Sequence, residues 1–334
     1  MPTAPRRRQP DEEVLMSTRS MVDPEVAPLL DVFPPLVLTP ESLPATRAML
    51  REMNAGAAAL APATPDIIVS ERSVPGAAGA PAVRVLVYQP RAATAAVPGL
   101  LWIHGGGYVL GDADGDDLTA RAYVTNLGCA VVSVDYRLAP ETPHPGPVED
   151  CYAALRWMHA EAASLGIDPQ RIAIGGASAG GGLAAGLGLL TRDRGEVPLV
   201  FQLLIYPMID DRTVTDADPN PHVGEFIWTP ALNRIGWTAL LGAEPGGAEV
   251  SPYAAAARAT DLRGLPATFI SVGSLDLFLE ENLEYARRLL RAGVATEVHV
   301  YPGGYHAFNL MADARVSQAF YRDQYAALGR AFGG

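Results

Sequence analysis

The segment RIAIGGASAGGGLAAGLGLL, residues 171–190, sets one hydroxyl, Ser178, among glycines and alanines. Gly176, Ser178 and Gly180 stand in G-x-S-x-G spacing, with a strand-like run before them and a helix-like run after. A serine on a sharp strand-to-helix turn takes a strained backbone, and bulkier neighbours would clash across that turn. Such a turn lifts the hydroxyl out of the sheet edge. It also aims the N–H of Ala179 at an oxyanion, at a helix N-terminus whose dipole favours negative charge. The chemistry would be nucleophilic attack on an acyl carbon. Two other readings compete. Gly180, Gly182 and Ala185 form a G-x-G-x-x-A, half a dinucleotide fingerprint, but the turn falls too early for it and the next strand offers only a late acid, Asp210. The other reading makes Ser178 a small turn residue and no more.

The rest of the chain favours the nucleophile. His104, Gly105, Gly106 and Gly107 follow the strand-like LLWI. Consecutive glycines let backbone N–H groups approach a substrate oxygen with no Cβ in the way, so Gly106 and Gly107 are the expected further oxyanion donors. His104 reads as an anchor of that loop. A serine hydroxyl needs a base, and the base needs an orienting carboxylate. Asp276 comes just after ATFISVG, and His306 just after TEVHVYP. The order serine, acid, histidine, each on a loop after a strand, is one of the orders in which this chemistry occurs. His299 lies inside a strand, His159 mid-helix, His144 in a Pro-rich loop before the serine and His222 in a long insertion. Glu280 and Glu281 compete with Asp276, but they open the next helix, where acids cap N-termini.

These residues need a frame. PDIIVSERSV, AVRVLVYQP, GLLWIHG, CAVVSVDYR, RIAIGG, LVFQLLIYP, ATFISVG and TEVHVYP read as strands. The first two stand close together, like a hairpin. The later ones alternate with helical stretches, which implies an α/β fold with a mostly parallel sheet of about eight strands, covered on both faces. DPEV and TPES read as helix starts. The long, Pro-rich stretch between Pro207 and Leu265 is more than two strands need, and it reads as a lid. The expected organisation is a disordered leader at 1–20, the N-terminal part of a cap at 21–60 and core at 61–207. A cap insertion follows at 208–260, then the second part of the core at 261–334.

The bulk numbers agree. The chain has 334 residues, 49% hydrophobic and 19% charged, which suits a globular protein with a sizeable core. A net charge of −12 disfavours nucleic acid and anionic membrane surfaces as partners. No run approaches the ~18 apolar residues of a membrane span, and no apolar segment follows Arg6, Arg7 and Arg8 to make a secretory signal. Cys129 and Cys151 read as buried free thiols in a reducing, cytoplasmic setting. There is no HExxH and no paired Cys/His spacing, so neither metal nor cofactor is expected.

Together, HGGGY, DYRLAPE at 135–141, the GASAGG turn, the G-x-x-D-x-x-x-E-E run at 273–281 and YPGGYHAF resemble one family. It is the hormone-sensitive-lipase-like esterases of the α/β-hydrolase superfamily, the bacterial group called family IV. The resemblance runs from about residue 65 to 330. It implies an α/β-hydrolase fold with a helical cap built from an N-terminal segment and an insertion. It implies Ser178 as nucleophile, His306 as base and then acid, and Asp276 as its partner. Gly106, Gly107 and Ala179 would form the oxyanion hole. Tyr136 and Arg137 are expected to be structural. Two positions depart from the common pattern: Ala177 stands where many members carry an acid, and Asp276-Leu-Phe-Leu-Glu-Glu where many have Asp-Pro-Leu-Arg-Asp-Glu. The expected substrate is a short- to medium-chain acyl ester. Tyr108, Phe226, Trp228, Trp237 and Phe278 are candidates to line an apolar pocket. Alternatives are an amidase of arylformamidase type and a non-catalytic small-molecule receptor on the same fold. A homodimer through a sheet edge or the last helix is a further expectation.

Overall fold

The apolar runs become eight strands: β1 (Ile67–Val74), β2 (Val83–Pro90), β3 (Val97–Ile103), β4 (Ala130–Asp135), β5 (Ile167–Ala177), β6 (Phe201–Ile205), β7 (Ala267–Gly273) and β8 (Thr296–Tyr301). The computed structural model describes residues 17–33 and 36–333. One sheet holds all eight strands, in the order β1-β2-β4-β3-β5-β6-β7-β8. The first pair is antiparallel, from Ile67 opposite Pro90 to Val74 opposite Val83, and β2 is also antiparallel to β4. The remaining pairings are parallel.

Interior strands such as β6, FQLLI, are buried along their whole length, as strands covered on both faces must be. The helices are α1 (Leu29–Val32), α2 (Leu43–Leu60), α3 (Asp117–Leu127), α4 (Gly146–Ala160), α5 (Ala179–Arg194), α6 (Pro230–Leu241), α7 (Leu279–Arg291) and α8 (Arg315–Ala331). Cys151 and Leu155 of α4, Leu183 and Leu187 of α5 and Tyr285 and Leu289 of α7 fill one core. Tyr123 and Val124 of α3 pack with Phe320 and Leu328 of α8 in the other. Burying each such side chain stabilises the fold by roughly 1.5–3 kcal/mol. Both cysteines are buried and free. Because β3, β5, β7 and β8 run parallel, the loops after them gather at one edge of the sheet.

Several local expectations need correcting. Residues 17–20, placed by sequence in the leader, belong to a capped 3₁₀ turn at Thr18–Met21. Glu225 holds it by accepting the Thr18 N–H and the Ser17 hydroxyl, both at 2.6 Å. The rest of the expected leader, residues 1–16, lies outside the described residues. DPEV does not start a helix. Asp23 instead folds back on itself, its side chain accepting the Glu25 N–H and its carbonyl those of Val26 and Ala27. The TPES start does lead into α2, with Thr39 and Ser42 exchanging side-chain bonds to each other's N–H. His159 stands in the last turn of α4, not at its middle.

Between β6 and β7 lie a 3₁₀ turn at Asp211–Val214, α6 and a 3₁₀ turn at Ala256–Arg258. Most of the remainder is irregular, as its prolines dictate. A buried pair clasps it: Arg258 donates to both oxygens of Asp211, each at 2.8 Å, and Asp211 also takes the Gly246 N–H. Among the described residues, no helix is long and apolar enough to cross a membrane.

Candidate active site

Ser178 joins β5 to α5 with φ 57° and ψ −122°, a strained conformation for a residue with a side chain. Neighbouring strands hold it there. Its N–H donates to Ile205 O at 2.9 Å, and its carbonyl accepts from Met208 N at 3.0 Å and Gly182 N at 2.9 Å. The small residues around it are compulsory. A Cβ on Gly180 would lie 2.0 Å from Ile103 O, because the end of β3 presses directly against the turn.

The three expected side chains meet. His306 Nδ1 lies 2.8 Å from Asp276 Oδ2, and His306 Nε2 lies 2.9 Å from Ser178 Oγ. The carboxylate can only accept, so Nδ1 carries the proton and Nε2 presents its lone pair to the serine O–H. Asp276 is fully buried and its other oxygen accepts the Phe278 N–H at 3.0 Å. Rings pack the imidazole in place. Phe278 meets it edge-on at 5.2 Å and Tyr206 at 4.8 Å. Only 7% of Ser178 and 5% of His306 remain exposed, so the pair works in a largely desolvated setting.

The loop after β3 runs beside Ser178. Among the described residues, no acceptor takes the N–H of Gly106 or Gly107. Ala179 opens α5, so its N–H precedes the first intrahelical bond. His104 is an anchor: its ring stacks on Tyr136 at 4.2 Å, Nδ1 lies 2.8 Å from Gly105 O, and the Tyr136 hydroxyl donates to His104 O. Arg137 forks onto buried Asp150 with two bonds of 2.7 Å.

The aromatic candidates separate. Tyr108 is buried, its hydroxyl given to Met208 O at 2.7 Å and its ring set against Trp237, itself fully buried. Trp228 packs its ring on Gly107 and stands 6.4 Å from the His306 ring. Phe226 is half-buried, edge-on to Tyr305 at 6.0 Å. A cleft of about 730 Å³ lies between the insertion and α7, lined by Thr213, Leu277, Glu280 and Glu281 among others. Neither Ser178 nor His306 lines it. Among the described residues, no cluster of three His, Cys, Asp or Glu could hold a metal ion.

Sequence reasoning read Glu281 as a helix cap and missed that it is buried. This carboxylate is almost fully buried and accepts from Ile209 N at 2.7 Å, Asp210 N at 3.3 Å and the Thr213 hydroxyl. Burial pushes its carboxyl well above the ordinary range. With Asn282, which donates to Pro207 O at 2.7 Å, it bolts the start of α7 to the segment that holds Ser178 through Met208. The signal was available: Glu281, Tyr285 and Leu289 form one i, i+4, i+8 stripe, all of it buried. Exposed Glu280, by contrast, accepts from the half-buried Asn220 amide at 3.3 Å.

A family model described as an alpha/beta hydrolase fold matches residues 100–310. Carboxylesterase NlhH of Mycobacterium tuberculosis is 38% identical over 296 residues, 87% of this chain and 89% of that one. Among solved structures, a bacterial heroin esterase superposes with a TM-score of 0.88 at 42% identity, covering 95% of this chain and 99% of its own. Esterase LipW from Mycobacterium marinum gives 0.83 at 36% identity, covering 94% and 97%.

Proposed function

Because the chain belongs to the hormone-sensitive-lipase-like esterases of the α/β-hydrolase fold, and is an enzyme of the carboxylesterase class, we propose that it hydrolyses short- to medium-chain acyl esters through Ser178, His306 and Asp276. The observation that carries this is the imidazole bonded on both sides, to Asp276 and to Ser178. Ser178 Oγ attacks the ester carbonyl carbon while His306 Nε2 takes its proton. Asp276 keeps the proton on Nδ1 and stabilises the imidazolium that forms. The oxyanion rests on the N–H groups of Gly106, Gly107 and Ala179, each donor worth roughly 10²–10³ in rate. As the tetrahedral intermediate collapses, His306 returns the proton to the leaving alkoxide and the alcohol departs. A water, deprotonated by His306, then attacks the acyl-enzyme, and a second collapse releases the acid and restores Ser178.

Residues 21–60 and the insertion serve in this reading as a cap that limits chain length. Arg47 supports it, reaching from α2 to Val109 O, Ala139 O and Glu141 around the glycine loop. The test is a panel of p-nitrophenyl esters from acetate to palmitate beside anilides and N-formylkynurenine. The reading expects a peak at short or medium chains and little amide turnover. A peak at palmitate, or amides turned over faster than every ester, would overturn it.

A further inference from the structure

Ile227 is a β-branched residue with φ 62°, a conformation such side chains avoid. It is the centre of a three-residue turn closed by the Trp228 N–H donating to Phe226 O at 2.7 Å, a strained γ-turn. Glycine would hold this backbone without the steric penalty, yet the chain keeps a large apolar side chain here. Non-glycine residues held in such conformations cluster at functional sites, where surrounding structure over-determines them.

The surroundings do over-determine this one. Gly224 N donates to Leu275 O at 3.1 Å, beside Asp276. Glu225 is tied to Ser17 and Thr18. The Trp228 indole N–H donates to buried Asn233 at 3.1 Å. The turn thus bridges the parts of the site. On one side Phe226 meets Tyr305, the residue before His306. On the other, Trp228 meets Gly107 and faces His306. Ile227 lies between them, half-buried, packed against a core that includes Tyr206 and Tyr305. Tyr206 touches the His306 ring.

We infer that the Phe226–Ile227–Trp228 turn is the specificity-determining wall of the ester site, and that the Ile227 side chain stops the acyl chain at short length. The inference rests on the ester-hydrolase reading above. The recognised group is an uncharged hydrocarbon chain, since no charged side chain belongs to the turn itself.

The test measures kcat and KM for p-nitrophenyl acetate and octanoate with wild type, Ile227→Ala, Ile227→Gly and Ile227→Phe. Ile227→Gly removes the side chain and the strain together, so it folds even where Ile227→Ala is loosened. In both small variants the octanoate-to-acetate ratio of kcat/KM rises by about tenfold or more, chiefly through KM for octanoate, as removing several methyl groups from an apolar stop should allow. Ile227→Phe moves the ratio the other way. A ratio within about twofold of wild type in folded Gly and Ala variants, or equal loss on both esters, would overturn the inference and leave the hydrolase reading standing. A wild type that turns over neither ester would overturn both.

Discussion

The Trp228 ring fills the space that a side chain on Gly107 would need: a Cβ there would lie 2.0 Å from Cη2 of the indole. Gly107 also has φ +60°, so any substitution carries backbone strain as well. Gly107→Ala is therefore expected to push the loop and misplace an oxyanion donor. Steady-state kinetics should show kcat/KM down by about 10² or more, through kcat rather than KM.

Asp276→Asn tests the imidazole's tautomer. An amide N–H facing Nδ1 would move the ring proton to Nε2, leaving no lone pair for Ser178. Turnover of p-nitrophenyl butyrate should fall by about 10⁴ with the fold retained.

Glu281 gives a pH signature. Burial raises its carboxyl well above the ordinary range, so the folded chain binds this proton more tightly than the unfolded one. That contribution to stability is complete below the ordinary carboxylate pKa and is lost as pH rises through the raised value. In Glu281→Gln, the amide oxygen still accepts from Ile209 and Asp210, its NH₂ can donate to Thr213, and nothing ionises. Melting temperatures from pH 4 to pH 8 should show the variant gaining on wild type as pH rises.

Arg137 and Asp150 concern stability alone. Asp150 is fully buried and Arg137 a third exposed. Arg137→Met leaves that carboxylate without its guanidinium and should cost about 3 kcal/mol by urea denaturation, while kcat/KM changes little.

Much of the site was legible because its chemistry needs particular residue types in particular places. Gly176 and Gly180 are forced by the approach of β3, and Asp276 and His306 by the loops that end parallel strands. The interior strands were legible because burial on both faces makes them continuously apolar. What escaped depends on tertiary contact. Glu281 resembles a helix cap until α7 is packed, when the same side chain becomes the bolt between α7 and Ile209. Tyr108 reads as a pocket residue until its hydroxyl is seen committed to Met208 O. The strain at Ile227 leaves no mark in composition, since a β-branched residue is not expected at positive φ.

The most direct measurement compares wild type with Ser178→Ala on p-nitrophenyl butyrate, with circular dichroism and melting temperature recorded for both. Turnover should drop by at least about 10⁴-fold while the melting curve is retained, because removing Oγ takes away the nucleophile and little packing. Undiminished hydrolysis by a folded Ser178→Ala chain would contradict the account at its centre.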